Sequence, residues 1–198
     1  MTLTGIILCG GASRRMGRPK ALLDYEGESF LDRLIGLFQA SCDDVIVVLG
    51  HEADRILAGS KRASQARCVL NPNYEQGQLS SLQRGLEEAA GADAVLFTPV
   101  DYPAVRPSTV QTLAASLRST AGGFLVAVPR FRGRHGHPAG FLGVLIPEFL
   151  ALPREATARD VIHRYRQRTL YIDVDDPGVV MDVDDPVQYA ALFREASS

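Results

Sequence analysis

Hydrophobic residues fall into two alternating kinds of stretch along this chain. Short, nearly unbroken apolar runs occupy Thr4 to Cys9, Val45 to Leu49, Cys68 to Leu70, Ala94 to Thr98 and Phe124 to Val128, and each has the length of a strand. Runs apolar on both faces predict a sheet covered on both sides, and hence a mostly parallel one. Between them the period lengthens. Phe30, Leu34, Leu37 and Phe38 share one face of a predicted helix, and Leu79, Leu82, Leu86 and Ala89 or Ala90 share one face of another. Pro107 suits the first turn of a helix reaching about Leu117. This β-α-β-α order predicts an α/β class: a Rossmann-like, mostly parallel sheet flanked by helices.

After Val128 the pattern changes. Pro129 to His137, rich in Arg, Gly and His, predicts a loop, and Ala139 to Leu145 a returning strand. Short helices are expected over Pro147 to Leu152 and Thr157 to Arg166, with a strand over Leu170 to Val174. The last helix starts at Pro186 with Asp185 as its N-cap. No repeat, low-complexity tract or linker interrupts the pattern, so a single domain over 1–198 is expected.

Composition narrows the function classes. The chain is 46% hydrophobic and 22% charged, with a formal net charge of -2, which offers no electrostatic footing for nucleic acid or a membrane surface. No signal peptide or bilayer-length apolar stretch is visible, so a cytoplasmic location is expected. Cys9, Cys42 and Cys68 are odd in number and widely spaced; they read as small buried hydrophobes rather than a disulfide framework or zinc site.

The strongest chemical signal is Leu8-Cys9-Gly10-Gly11-Ala12-Ser13-Arg14-Arg15-Met16-Gly17-Arg18-Pro19-Lys20, directly after the first strand. Ligands of open α/β sheets bind at strand carboxyl ends. Gly10 and Gly11 permit unusual dihedrals and close backbone approach, so several N–H groups can converge on an anion. Arg14, Arg15, Arg18 and Lys20 add positive charge, the combination a triphosphate needs. Neither G-x-G-x-x-G nor G-x-x-x-x-G-K-[ST] is present.

Three further segments carry candidate chemistry. In Asn71 to Leu82, Gly77 permits a tight turn, and Ser80 and Ser81 either cap a helix or contact a base or ribose. Asp101 stands at the mouth of the run Ala94 to Val100, where a carboxylate can hold magnesium or serve as an ordinary turn residue. Asp182 and Asp184 alternate onto one side if their segment is extended, so one of them can meet Asp101 across a metal. Asp173 to Asp176 reads as a solvated turn.

Together these stretches resemble the molybdenum cofactor nucleotidyltransferases, within the pyrophosphorylase-like (nucleotide-diphospho-sugar transferase) fold, over nearly the whole chain. The resemblance implies that the backbone from Leu8 through Cys9, Gly10 and Gly11 to Ala12 holds the nucleotide, with Arg15 and Lys20 on the triphosphate. The N-P-x-Y-x-x-G-x-x-[ST]-S match implies a nucleobase pocket at Asn71, Gly77 and Ser81. The D-x-P match implies metal binding at Asp101, and the D-[IV]-D-x-P match at Asp182, with Asp184 in reserve; Asp185 replaces the family's usual Thr. Gly136-His137-Pro138 resembles the G-H-P element of the cytidylyltransferase-like branch and implies an acceptor contact at His137. By itself the Arg130 to Pro138 stretch fits a solvated basic loop, and His135 with His137 lack further ligands for a metal.

The implied reaction is Mg2+- or Mn2+-dependent transfer of CMP from CTP to the phosphate of molybdopterin, releasing pyrophosphate, with a molybdoenzyme or cofactor chaperone as recipient. Gly10 stands where the cytidylyl branch commonly has Ala, which keeps GTP open. A sugar phosphate acceptor on the same fold and a non-catalytic cofactor carrier are the competing readings.

Overall fold

The computed structural model describes residues 1–119 and 122–195. The chain runs through β1 (Leu3–Cys9), β2 (Asp24–Tyr25), β3 (Glu28–Ser29), α1 (Phe30–Gln39), β4 (Asp44–Leu49), α2 (Ala53–Gly59), β5 (Arg67–Leu70), α3 (Gln78–Glu88) and β6 (Ala94–Pro99). It continues with α4 (Pro107–Ser119), β7 (Val126–Phe131), β8 (Arg134–His135), β9 (Ala139–Leu142), α5 (Ile146–Leu150), α6 (Ala158–Arg164), β10 (Thr169–Asp173) and α7 (Pro186–Glu195).

The main sheet has the order β10-β7-β9-β6-β1-β4-β5, with β8 paired to β7. β1 is parallel to both β4 and β6, β4 to β5, and β10 to β7. β9 runs antiparallel between β6 and β7, so the sheet is mixed but mostly parallel. The expected α/β class holds.

β1 is buried at all seven positions, and its alternation divides the core. Leu3, Ile7 and Cys9 join Phe30, Leu34 and Phe38 of α1 and Leu113 of α4 on one face. Ile6 and Leu8 join Leu82 and Leu86 of α3, with Phe141 and Phe149, on the other. Each fully buried Leu or Phe contributes about 1.5–3 kcal/mol by leaving water, which sets the sheet between two helical layers.

Three expectations change. β5 lies at the sheet edge, so its ends Arg67 and Leu70 are exposed rather than covered. Pro129 to His137 is a hairpin, not a loop: β7 extends to Phe131, and Arg132 (φ 48°) and Gly133 (φ 81°) turn the chain back into β8. Cys42 and Cys68 are half-buried; Cys9 alone is fully buried.

Candidate active site

Because β1 and β6 are parallel, their carboxyl ends emerge side by side, with Leu8 opposite Pro99. The glycine loop and Asp101 are therefore neighbours by topology. Within the loop, a Cβ on Gly10 would lie 2.5 Å from Ser81 Oγ, whereas one on Gly11 would meet nothing within 4 Å. Gly10 thus serves close packing and Gly11 opens onto the cleft. The left-handed backbone expected of the glycine pair occurs instead at Ser13 (φ 48°) and Gly17 (φ 66°). Ser13 Oγ accepts from the Lys20 amide at 3.1 Å, which folds the loop back and sends the Lys20 side chain towards Asp101.

The ammonium of Lys20 donates to Asp101 Oδ2 at 3.1 Å and to Asp184 Oδ1 at 2.5 Å. Arg15 Nη2 donates to Asp184 Oδ2 at 2.9 Å. Burial pushes the Asp101 carboxyl up, opposed by Lys20; the hydrogen bond from Lys20 holds Asp184 down. Asp101 Oδ1 is buried and has no partner. That orphaned oxygen, on a carboxylate whose other oxygen shares one ammonium with Asp184, is donor chemistry suited to a hard divalent cation. Among the described residues no three His, Cys, Asp or Glu side chains could hold a metal by themselves, so phosphate oxygens and water would complete its shell.

Asp182 and Asp184 reach the cleft on a strap that is not a strand, contrary to the extended segment expected. Val183 N–H donates to the Asp101 carbonyl at 2.9 Å, and His137 N–H to the Val179 carbonyl at 2.8 Å. Gly136 and Gly178 press on the Val179 and Ala104 carbonyls, where no Cβ would fit. The root of the strap is Asp176, which is 2% exposed and not part of a solvated turn. It accepts from Arg106 N–H at 2.8 Å, Thr109 Oγ1 at 2.6 Å and Gly178 N–H at 2.9 Å. From the other side, Arg33 Nε donates to the Pro103 carbonyl at 2.7 Å and steadies the Asp101 loop.

Before α3, Asn71 is 2% exposed and donates to Ser80 Oγ at 3.0 Å and Ser81 Oγ at 3.1 Å. Its Oδ1 accepts from Asn73 N–H at 2.9 Å, so it organises the turn before α3. Gly77 takes φ 102°, a conformation that suits glycine. On the far side, the His137 ring packs at 5.6 Å from Phe97 and 4.8 Å from Tyr102. Burial lowers its pKa to about 4, so the ring is neutral near pH 7. Its Nδ1 is buried without a partner.

A cleft of about 1160 Å³ connects these features. Leu8, Gly10, Gly11, Ala12, Arg15 and Lys20 line it, as do Gly77, Ser81, Asp101, His137, Asp182 and Asp184. Cys9 packs into the core, and Asn71 acts from behind through Ser81. The cleft also brings in Tyr102, Arg159, His163, Arg166 and Tyr171, which no motif marks. A helical spacing of 159, 162, 163 and 166 was the only available signal.

Comparison with known proteins agrees with this architecture. Residues 5–169 match the MobA-like NTP transferase domain. The chain is 31% identical over 198 residues to nicotine blue oxidoreductase of Paenarthrobacter nicotinovorans, covering 96% of each. It is 25% identical over 186 residues to the molybdenum cofactor cytidylyltransferase of Escherichia coli K12, covering 91% of this chain and 90% of that one. A probable molybdenum cofactor guanylyltransferase of Pelotomaculum thermopropionicum is 35% identical over 135 residues, 68% of this chain and 60% of that protein. The crystal structure of Rv0371c from Mycobacterium tuberculosis H37Rv superposes with a TM-score of 0.82 at 25% identity, covering 98% of both chains.

Proposed function

This chain belongs to the MobA-like NTP transferase family, and from that membership we propose that it transfers CMP from CTP to the phosphate of molybdopterin. The observation that carries the proposal is Lys20 bridging Asp101 and Asp184 beside the glycine loop. Loop N–H groups from Gly10 to Ala12 receive the triphosphate, joined by Arg15. Lys20 exchanges its carboxylates for phosphate oxygens and balances the charge that builds on departing pyrophosphate. Asp101 and Asp184 would hold Mg2+ or Mn2+, which would supply Lewis-acid stabilisation of charge on the phosphate oxygens. Asp184 takes this role ahead of Asp182 because it is the strap carboxylate that meets Asp101 through Lys20.

An acceptor phosphate oxygen forms the new bond to the α-phosphorus as the bond to the β-phosphate oxygen breaks. The acceptor is already ionised near neutral pH, so positioning and charge stabilisation carry the reaction without a dedicated base. CTP is favoured by the Gly136-His137-Pro138 element and by the cytidylyltransferase relative. GTP is favoured by Gly10 and by the guanylyltransferase relative. Pyrophosphate release measured with each triphosphate, with and without molybdopterin, separates the two. Release with neither, in Mg2+ or Mn2+, would reject transfer to molybdopterin and leave a different phosphorylated acceptor or a cofactor-binding protein.

A second reading has one observation in its favour, the end-to-end relative named an oxidoreductase. Loss of nicotine blue absorbance with a reduced nicotinamide supplied, in the absence of any triphosphate, would establish it.

A further inference from the structure

Asp101 and Asp184 are brought side by side by the main chain. Val183 N–H donates to the Asp101 carbonyl at 2.9 Å, and Asp184 N–H is fixed by Gln188 Oε1 at 2.7 Å. Two carboxylates held this close repel unless a cation lies between them. In this chain the cation is Lys20, whose side chain is 13% exposed and reaches Asp101 at 3.1 Å and Asp184 at 2.5 Å. Arg15 takes the other Asp184 oxygen at 2.9 Å. Two carboxylates are thus matched by two side-chain cations, and Asp101 Oδ1 is the oxygen of the pair left without a partner.

Lys20 has a fixed root and a free arm. Its N–H is held by Ser13 Oγ at 3.1 Å, and its carbonyl accepts from Leu23 N–H at 3.0 Å. The flexible stem beyond that root lets the ammonium leave the acids while the loop stays in place. Lys20 and Arg15 also line the cleft beside Gly10, Gly11 and Ala12. A divalent cation needs the carboxylate oxygens that these two side chains hold, so the two sets of contacts exclude each other. A triphosphate offers both side chains phosphate oxygens in exchange.

We propose that Lys20 is a placeholder cation, which keeps a divalent ion off Asp101 and Asp184 until a triphosphate draws it away. The inference rests on the transfer reading and adds an order of binding to it: the nucleotide comes first, or metal and nucleotide come together. The acid pair then has a cation at every stage, first Lys20 and afterwards the metal. Linkage makes the coupling reciprocal, so the affinity that a triphosphate gives the metal is returned by the metal to the triphosphate.

The test is Mn2+ binding to the protein without nucleotide, counted from the loss of the free-ion electron paramagnetic resonance signal. Lys20→Met should bind Mn2+ about tenfold tighter than wild type, because a unit charge leaves the immediate neighbourhood of two carboxylates. Arg15→Gln, at a side chain 66% exposed, should tighten binding by a smaller factor of about three. Mn2+ should also raise Tm more in both variants than in wild type. Arg14→Gln is the control: it takes the same charge from the cleft wall without breaking an ion pair found among the described residues. Its Mn2+ affinity should stay within about twofold of wild type. Lys20→Met and Arg15→Gln that bind Mn2+ no tighter than wild type would overturn the placeholder. Equal tightening by Arg14→Gln would overturn it too, because any loss of positive charge would then serve. A different failure is distinguishable by water-proton relaxation: if α,β-methylene CTP brings no Mn2+ onto wild type, the metal-dependent transfer reading falls and the placeholder with it.

Discussion

At the end of the cleft under the glycine loop, cations and carboxylates answer one another: Lys20 spans Asp101 and Asp184, and Arg15 takes the remaining Asp184 oxygen. At the end under α6, Arg159 and Arg166 line the cleft without an ion-pair partner among the described residues, as do the stacked rings of His135 and Tyr171. The first arrangement is neutral at rest and suits chemistry in which a metal and a triphosphate arrive together and exchange partners with Lys20. The second holds charge in reserve and suits recognition of one anionic group.

The hardest blow to the first end is Asp101→Ala. It removes the buried oxygen that has no protein partner, and turnover should fall by about 10³-fold or more with the fold retained. Near-normal kcat with an unchanged circular dichroism spectrum would break the division at its root. Next is Asp176→Ala, which leaves Arg106 N–H, Thr109 Oγ1 and Gly178 N–H without their acceptor. Loss of the charged acceptor should cost about 3 kcal/mol in urea unfolding and loosen the strap bearing Asp184. Stability equal to wild type would show that the strap is held from elsewhere.

Arg159→Gln sharpens the comparison from the other end. It should raise KM for the acceptor about tenfold and leave KM for the triphosphate unchanged in steady-state kinetics. A rise in both would merge the two ends into one. The smallest effect is electrostatic. His137 has its folded pKa lowered by burial to about 4, below its ordinary 6.5, so between these values the unfolded chain binds more protons. Stability should therefore fall as pH drops from about 6.5 to about 4, by on the order of 1 kcal/mol more in wild type than in His137→Gln. Identical pH curves would mean that the ring is not shielded as the structure has it.

The glycine-loop end was legible because its information is local. β1 is an unbroken apolar run, its loop follows at once, and the parallel pairing of β1 with β6 brings Asp101 alongside. The helical faces of α1 and α3 were equally plain from spacing. The α6 end was opaque because its meaning is long-range. Arg159 differs from Arg164 on the same helix only in which way it faces, and spacing alone does not tell which side meets the cleft. Asp176 looks like its neighbours in Asp173-Val174-Asp175-Asp176, yet Thr109, 67 residues earlier, makes it a buried acceptor. Ser81, by contrast, was open between capping and ligand contact, and the structure puts it on the cleft wall, bonded to Asn71.

The most direct measurement follows the α-phosphorus itself. CTP labelled with ³²P at the α-position should pass its label to molybdopterin in the presence of Mg2+ or Mn2+, and Asp101→Ala should abolish that transfer. Label retained in CTP or found only in free CMP, with wild-type protein and either metal supplied, would contradict transfer of CMP to molybdopterin.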